Sequence, residues 1–431
     1  MLPGSIIDAG AVIADSPLAE FRDLGWRRFG ALPMPRNTDG QWRFASLKSL
    51  DLQRYTRPLP LGDAAGHELA ERSRGLPEIS GRMVFGNDEL VVRDGVRADL
   101  ESRGVIWLPL ERAAAEHPDL LRRYFMREEA ILGGAKFAAL HQAQVRAGTF
   151  LYVPRGVEIV LPLESWHWLH GNGGSCFPHT LIVAEAMSKV TVVDHFRSAD
   201  ADAAGLACGV NDLWLGDGAK VTYVCSQDWS RETLAFQMNS TVVGRDASAV
   251  MFNLNLGGRY ARTESVSHLR AQGGRSDMLA VSVADQAQEF DQRTLQIHEV
   301  PHTASDLLYK NSLDDDSRTI FAGLIRVAPG AHQTDAYQKV RNLLLSDDAE
   351  ANSAPGLEIE ADDVRCTHGA TTGQIDEEEL FYLRSRGISK GEAQRLIVHG
   401  FLQEVIARIG NDSIAAFLGE QVRGKFNRRA R

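Results

Sequence analysis

Glu185-Ala-Met-Ser-Lys-Val-Thr-Val-Val193 aligns with Gly216-Asp-Gly-Ala-Lys-Val-Thr-Tyr-Val224, then with Gly244-Arg-Asp-Ala-Ser-Ala-Val-Met-Phe252, and more loosely with Gly274-Arg-Ser-Asp-Met-Leu-Ala-Val-Ser282. The spacing is roughly thirty residues, a range in which stacked repeat units are expected. Each unit opens on small turn residues and runs into an alternating strand. One such strand cannot bury its inner face alone, but a stack of them can. A β-helix or related solenoid meets that need, with an ordinary antiparallel meander as the alternative.

The same texture extends outward from the repeat. Short runs rich in Val, Thr, Leu and Tyr, broken by Gly, Asp and Asn, predict a β-helix core over residues 148–371. Residues 1–147 predict an α-rich region: Ala64–Arg74 is helix-permissive, and Leu110–Leu132 repeats apolar residues at three and four (Leu120, Leu121, Tyr124, Phe125). Residues 372–431 predict a helical domain. Asp376 with Glu379 and Ser389 with Glu392 are start signals, and Gly387 is a stop. Leu396, Ile397, Phe401, Leu402, Val405, Ile406 and Ile409 form one apolar stripe, with a third helix expected near 412–425. Open solenoid edges need covers, and helical ends supply them.

Composition narrows the function. The chain has 431 residues, 44% of them hydrophobic, and a net charge of -10, which is the wrong sign for a surface built to neutralise phosphates or anionic lipid. Nucleic acid and membrane are therefore poor partners. Leu181–Val193 is interrupted by Glu185, Ser188 and Lys189, and no run approaches the roughly 20 apolar residues of a membrane helix. The opening residues lack a basic n-region and cleavage site, so a cytoplasmic protein is expected. The four cysteines, Cys176, Cys208, Cys225 and Cys366, show no pairing pattern, consistent with reduced thiols.

Three candidate chemistries emerge from the residues. His167, His170, Cys176 and His179 carry donors suited to zinc or iron, but their spacing matches no defined motif, and a surface loop with adventitious histidines is the plainer expectation. Gly148-Thr-Phe-Leu-Tyr-Val-Pro-Arg-Gly156 fits half of a cupin metal motif, yet Ile159 stands where a histidine ligand is needed, so it reads as a strand and turn. Asp314–Asp316 and Asp376–Glu379 read as solvated runs or helix starts. There is no phosphate loop and no nucleophile elbow. The third candidate is Cys366-Thr-His368. On a strand, both side chains fall on one face, giving one thiolate and one imidazole, half of a four-ligand iron–sulfur site. A structural cysteine is the competing reading.

Ser353-Ala-Pro-Gly-Leu-Glu-Ile-Glu-Ala-Asp-Asp-Val-Arg-Cys-Thr-His-Gly-Ala-Thr371, followed by Gly373-Gln-Ile-Asp-Glu-Glu-Glu-Leu-Phe-Tyr-Leu-Arg-Ser-Arg-Gly387-Ile388, closely resembles a signature of the SufB/SufD family of iron–sulfur cluster assembly subunits. Thr334-Asp-Ala-Tyr-Gln-Lys-Val-Arg-Asn-Leu-Leu-Leu-Ser346 is similar to the family's preceding segment, and Gly30–Phe44, with Pro33 and Trp42, to its N-terminal stretch. The likeness is strong from Gly323 to Phe401 and weaker before it. Sequences of the SufB branch carry a cysteine where this chain has Ala349, and Glu and His where it has Cys366 to His368. These departures favour the SufD branch.

The resemblance implies a right-handed parallel β-helix with helical ends, paired with SufB through the core, or with itself in isolation. It implies a SufC ABC-type ATPase bound to the C-terminal helices, where Phe381, Tyr382, Arg384, Arg386 and Phe401 are expected at the contact. It also implies that His368 faces a SufB cysteine around a nascent cluster; whether Cys366 joins it as a further donor or packs as a structural cysteine is left open by the residues. No permanent cofactor and no enzymatic activity are expected, only a transient iron–sulfur cluster shared with SufB. The rival readings are a SufB-like scaffold that holds a cluster alone and a carbohydrate-active β-helix enzyme, for which no face of carboxylates is found.

Overall fold

The computed structural model describes residues 4–8, 16–47 and 50–429. Two sheets face each other. One runs in spatial order Glu89–Asp94, Gly81–Gly86, Leu163–Leu169, Lys189–Ser198, Lys220–Asp228, Ser248–Asn255, Arg275–Ala284, Ala304–Leu313, Asp335–Leu344 and Arg365–Gln374. The other runs Ile106–Pro109, Gly148–Val153, His179–Ala184, Gly205–Leu215, Thr233–Val243, Tyr260–Leu269, Glu289–His298, Arg318–Val327 and Glu350–Ile359, with the short Gly174–Cys176 beside Gly205–Leu215. The chain crosses from sheet to sheet with successive strands, a parallel solenoid of about eight turns. Among the named strands only two pairings are antiparallel, Gly81–Gly86 with Glu89–Asp94 and Ile106–Pro109 with Gly148–Val153. The meander alternative is excluded by this pattern.

Register repeats rung by rung. Lys189 pairs with Lys220 and Lys220 with Ser248, as the sequence alignment has it. The fourth unit is a correction: Ser248 pairs with Arg275, three residues before the Met278 that the alignment sets opposite it. The reason lies in the corner. Met187, Gly218, Asp246, Gly273, His302, Gln333 and Asp363 all have positive φ, each two residues before its strand. This left-handed residue fixes the phase, whereas Gly244 and Gly274 do not occupy equivalent places. The corner positions also stack. A Cβ on Gly218 would collide with Met187 Sδ, and one on Gly273 with Asp246 Oδ1. A side chain therefore alternates with a bare glycine along this part of the edge.

The interior between the sheets is apolar over the first turns, with Phe85, Leu151, Ile182, Val192, Phe196, Tyr223 and Met251 in one cluster. The outer faces are covered too. Helix Ala135–Gln144 lies against Gly205–Leu215 and helix Ala19–Ala31 against that helix, while Phe137 stacks on Phe236 at 3.8 Å between ring centres. Strands buried on both faces read as continuous apolar runs, which is why the stretch after Leu181 shows little alternation. The helical pattern at Leu110–Leu132 divides into Leu110–Glu116 and Pro118–Tyr124, because Pro118 cannot continue a helix but suits the first turn of the next.

The C-terminal helices Glu377–Ser385, Lys390–Ile406 and Asp412–Arg429 follow the predicted signals. Asp376 accepts from the amides of Glu378 and Glu379, and Ser389 with Glu392 closes a capping box. Gly387 carries φ +88° after the first of them. Val398, Leu402, Val405, Ile406, Ile414, Leu418 and Val422 are buried in one cluster with Val224, Phe252, Leu254, Leu279, Val281 and Leu308 of the solenoid. Lys310 Nζ, from the sheet, donates to the Phe401 carbonyl at 2.7 Å and to Glu404, and Lys425 pairs with Asp285 at 2.8 Å. No helix among the described residues is long and apolar enough to cross a membrane.

Candidate functional site

The two ends of the solenoid differ. Its first turns finish in the antiparallel pairings, whereas Glu350–Ile359 and Arg365–Gln374 each pair on one side only and are the outermost strands of their sheets. Both strands are half-exposed or exposed along their length. This last rung is an open end. Unpaired strand edges of this kind are templates for another chain.

Side chains on the rung follow from register. On Asp335–Leu344, Ala336, Gln338, Val340 and Asn342 are buried and face inward. Their partners one rung out are Cys366, His368, Ala370 and Thr372. Cys366 and His368 therefore share the inward face, as period two requires, at a level where that face meets solvent. Across the interior, Pro355, Leu357 and Ile359 extend the inward file of Gly323, Ile325 and Val327. Asn342 Nδ2 donates to Ser353 Oγ and Thr372 Oγ1, both at 3.1 Å, and so joins the two edges.

The two donors are not equivalent. Cys366 is half-buried against Ile325, Val327, Ala331 and Ala336, with Leu357 and Val364 beside it. Burial pushes its thiol up from the ordinary value, so the isolated chain holds it protonated at neutral pH. A metal would have to displace that proton. His368 is exposed and open to approach from outside. Gln338, beneath it, is fully buried with an Oε1 that meets no hydrogen-bond donor among the described residues.

The other predicted residues lie elsewhere. His167, Cys176 and His179 are buried on strands, which corrects the surface-loop expectation for these three, whereas His170 lies half-buried in the loop that follows Leu163–Leu169. His167 stacks between Phe85 (5.0 Å) and Phe196 (5.2 Å), and His179 contacts Phe125 and His141 beneath the N-terminal helices. The aromatic surroundings drive this outcome: desolvation pushes His167 down to about 3 and holds both rings neutral. Among the described residues no group of three or more His, Cys, Asp or Glu side chains is placed to hold a metal ion. Asp314–Asp316 forms a solenoid corner, with Asp315 at φ +53°. Phe381 and Tyr382 are 72% and 56% exposed, and Arg386 stacks over the Tyr382 ring. Arg384 is also exposed, while Phe401 turns toward Lys310 and the solenoid. A groove of about 630 Å³ beside them is lined by Ile388, Leu396, His399, Arg423 and Phe426, so Leu396, expected on the apolar stripe, is exposed at the groove.

Comparison with known families agrees with this architecture. The family described as SUF system FeS cluster assembly, SufBD core domain, matches residues 167–401, and the SufBD protein N-terminal region matches residues 12–164. The chain belongs to the SufBD family. It is 33% identical over 310 residues to the iron–sulfur cluster assembly protein SufD of Bacillus subtilis, a match covering 72% of this chain and 71% of that one. It is 26% identical over 400 residues to an iron–sulfur cluster assembly SufBD family protein of Staphylococcus epidermidis, covering 90% and 84%. Within the SufBD family the chain is SufD-like, and its assignment is to iron–sulfur cluster assembly. The family's core match spans the open rung, including Cys366 and His368, and the part of the helix Lys390–Ile406 up to Phe401, which includes Leu396.

Proposed function

We propose that this SufD-like chain is a non-catalytic scaffold subunit that completes its cluster site with a second, homologous chain of the SufB type. The observation that carries the reading is the open last rung, where Cys366 and His368 occupy an inward file exposed at the end of the solenoid. Two donors are too few to hold an iron–sulfur cluster, whose irons take four ligands each. A partner adding its own edge strands to Glu350–Ile359 and Arg365–Gln374 would extend both sheets and bring the missing donors to the same level. A second copy of this chain can use the same edges in the absence of that partner. The cluster is cargo, held in transit.

In this scheme His368 is the primary ligand. Neutral imidazole binds iron without the charge of thiolate, and a mixed site at an interface releases its cluster more readily than four buried thiolates. Cys366 serves as a further donor once the partner or the incoming metal removes its proton. The exposed Phe381, Tyr382, Arg384 and Arg386, with the neighbouring Leu396 groove, form the docking surface for a SufC-type ATPase, and Phe401 supports it by seating the helix on Lys310. ATP-driven closure of two such ATPases would pull on the helices of both scaffold chains and open the interface between them. The chain itself lacks a phosphate loop, so the hydrolysis belongs to the partner.

Anaerobic purification with and without SufB-type and SufC-type chains, followed by cluster reconstitution, tests the reading. His368→Ala is expected to impair assembly in an intact complex, and Cys366→Ala to impair it less. A stable cluster on the isolated chain as a monomer, or full assembly by the His368 variant, would overturn the shared-site reading.

A further inference from the structure

Far from the open rung, three parts of the molecule meet around a cleft of about 270 Å³: the N-terminal helix Asp63–Arg72, the solenoid flank, and the last helix Asp412–Arg429. Arg197, on strand Lys189–Ser198, lines its floor and is 7% exposed. Its guanidinium donates to the carbonyls of Phe196 and Ser226, to Ser226 Oγ, and to Gln421 Oε1 of the last helix. All of these acceptors are neutral. Buried charges are normally paired with a counter-charge, and this one has none within ion-pair distance among the described residues.

The neighbouring charges do not repair the imbalance. Asp228, whose field reaches Arg197, is engaged by Arg428 at 2.7 Å. Arg231 and Lys425 both lean on Asp285 at 2.8 Å, so two cations share one carboxylate. Arg72 pairs with Glu68 and lies over the Trp168 ring at 4.6 Å. Asp202 is the remaining carboxylate on the wall. Five cations thus line the cleft against two carboxylates, Asp202 and Asp228, while Glu68, Asp285 and the buried Glu164, which pairs with His195, lie behind the wall. In a chain of net charge -10 this is a local reversal of sign. Burial pushes Arg197 down to about 10, which registers the cost of holding its charge there.

We propose that this cleft binds a phosphoryl oxyanion, either free phosphate or the phosphate of a nucleotide, as the missing counter-charge of Arg197. The guanidinium groups of Arg72 and Arg428 supply the recognition, since planar guanidinium forks match phosphate oxygens, and Arg197 adds its charge from the floor. The ligand has a mechanical consequence. Gln421, Lys425 and Arg428 come from the last helix, so an anion bridging them to Arg197 fastens that helix to the solenoid.

Thermal melting of the full chain, titrated with sodium phosphate against sodium chloride at matched ionic strength, tests this. The expected result is a saturable rise in Tm with phosphate alone, accompanied by slower amide exchange across 412–429. Arg428→Gln, at an exposed position, should raise the half-saturating concentration about tenfold, the equivalent of one charge-assisted contact. Arg197→Met should melt lower than the parent, because its hydrogen-bond acceptors lose their donor, and should lose the response to phosphate. If that variant fails to fold, Arg428→Gln together with Arg72→Gln carries the test. Parallel titration with ATP separates the sources: tighter binding assigns the nucleotide, and equal binding assigns phosphate. No saturable response to either anion, or an undiminished response in the variants, overturns the proposal.

Discussion

Leu402→Ala separates the seating of the C-terminal helices from the surface they present. Leu402 is 1% exposed in the cluster that joins helix Lys390–Ile406 to Leu279, Val281 and Leu308, while Leu396 on the same helix is 54% exposed at the groove. Truncating a buried leucine costs about 2–5 kcal/mol, the transfer of its methyl groups plus the cavity left behind. That loss falls on local opening of the helices, because the solenoid has its own cores. At about 1.4 kcal/mol per decade, amide protection across 390–406 should drop roughly thirty-fold at the least and several-thousand-fold at the most. Strands Thr233–Val243 and Tyr260–Leu269, on the opposite sheet, should be unchanged. Leu396→Ala removes exposed surface, changes stability by no more than about 0.5 kcal/mol, and should leave protection intact while weakening ATPase capture. Hydrogen exchange by mass spectrometry, run beside a pull-down, reads both. Equal loss of protection in the two variants, or none in Leu402→Ala, would refute the division of labour.

Lys310→Met keeps the stem but removes the donor to the Phe401 carbonyl and Glu404; a cost of about 1–3 kcal/mol is expected from urea unfolding of the helical unit. The loss stays below that of a fully buried pair because Glu404 is 58% exposed and rehydrates, so an unchanged midpoint would mean that the contact contributes nothing. Gly273→Val places a branched side chain at φ +76° against Asp246 and should lower stability by about 2 kcal/mol or more, whereas Gly400→Ala, where a Cβ meets open space, should not. His298 is buried between Thr303 and Ser305 hydroxyls and pushed down to about 4, while in the unfolded chain it titrates near about 6.5. Between those values the unfolded state binds the proton first, so stability falls as pH drops, by up to about 1.4 kcal/mol per unit. His298→Gln should show a shallower slope by that amount over the same window, and identical slopes would mean that His298 is protonated in the native state.

The repeat beginning at Glu185 carried the fold in plain view because its small turn residues and alternating strands recur at each rung. Where the phase slipped, at Gly274, the deciding feature was backbone conformation: Met187, Gly218, Asp246 and Gly273 share a left-handed φ but no side-chain chemistry. The strands Gly81–Gly86 and Glu89–Asp94 lie ahead of the strand-rich stretch and were hidden, since each appears once at the end of the stack and has no repeat to betray it. The capping signals of the C-terminal helices were legible because caps are local. His167 and His179 misled for the opposite reason. A histidine beside glycines looks exposed until distant aromatic residues such as Phe85, Phe125 and Phe196 are known to enclose it. The cleft at Arg197 joins segments far apart in the chain, as in the 224-residue separation of Arg197 and Gln421, and no local pattern encodes such a meeting.

That Cys366 and His368 share a face follows from any strand; that the face is accessible follows from where the stack stops. Inside the solenoid the same file is filled by Ala336 and Gln338 and sealed by the next rung. One rung earlier, a cysteine and a histidine in register would be buried, desolvated and held neutral, as Cys208 and His141 are elsewhere in this chain. One rung later there is no sheet to orient them. The last rung gives both residues a rigid backbone and leaves His368 in solvent, with Cys366 half-covered between the two regimes. The same ending leaves two strand edges unpaired. A ligand pair too small for a cluster and an edge built to accept another chain therefore have one geometric cause, and a chain that sealed this end would lose both together.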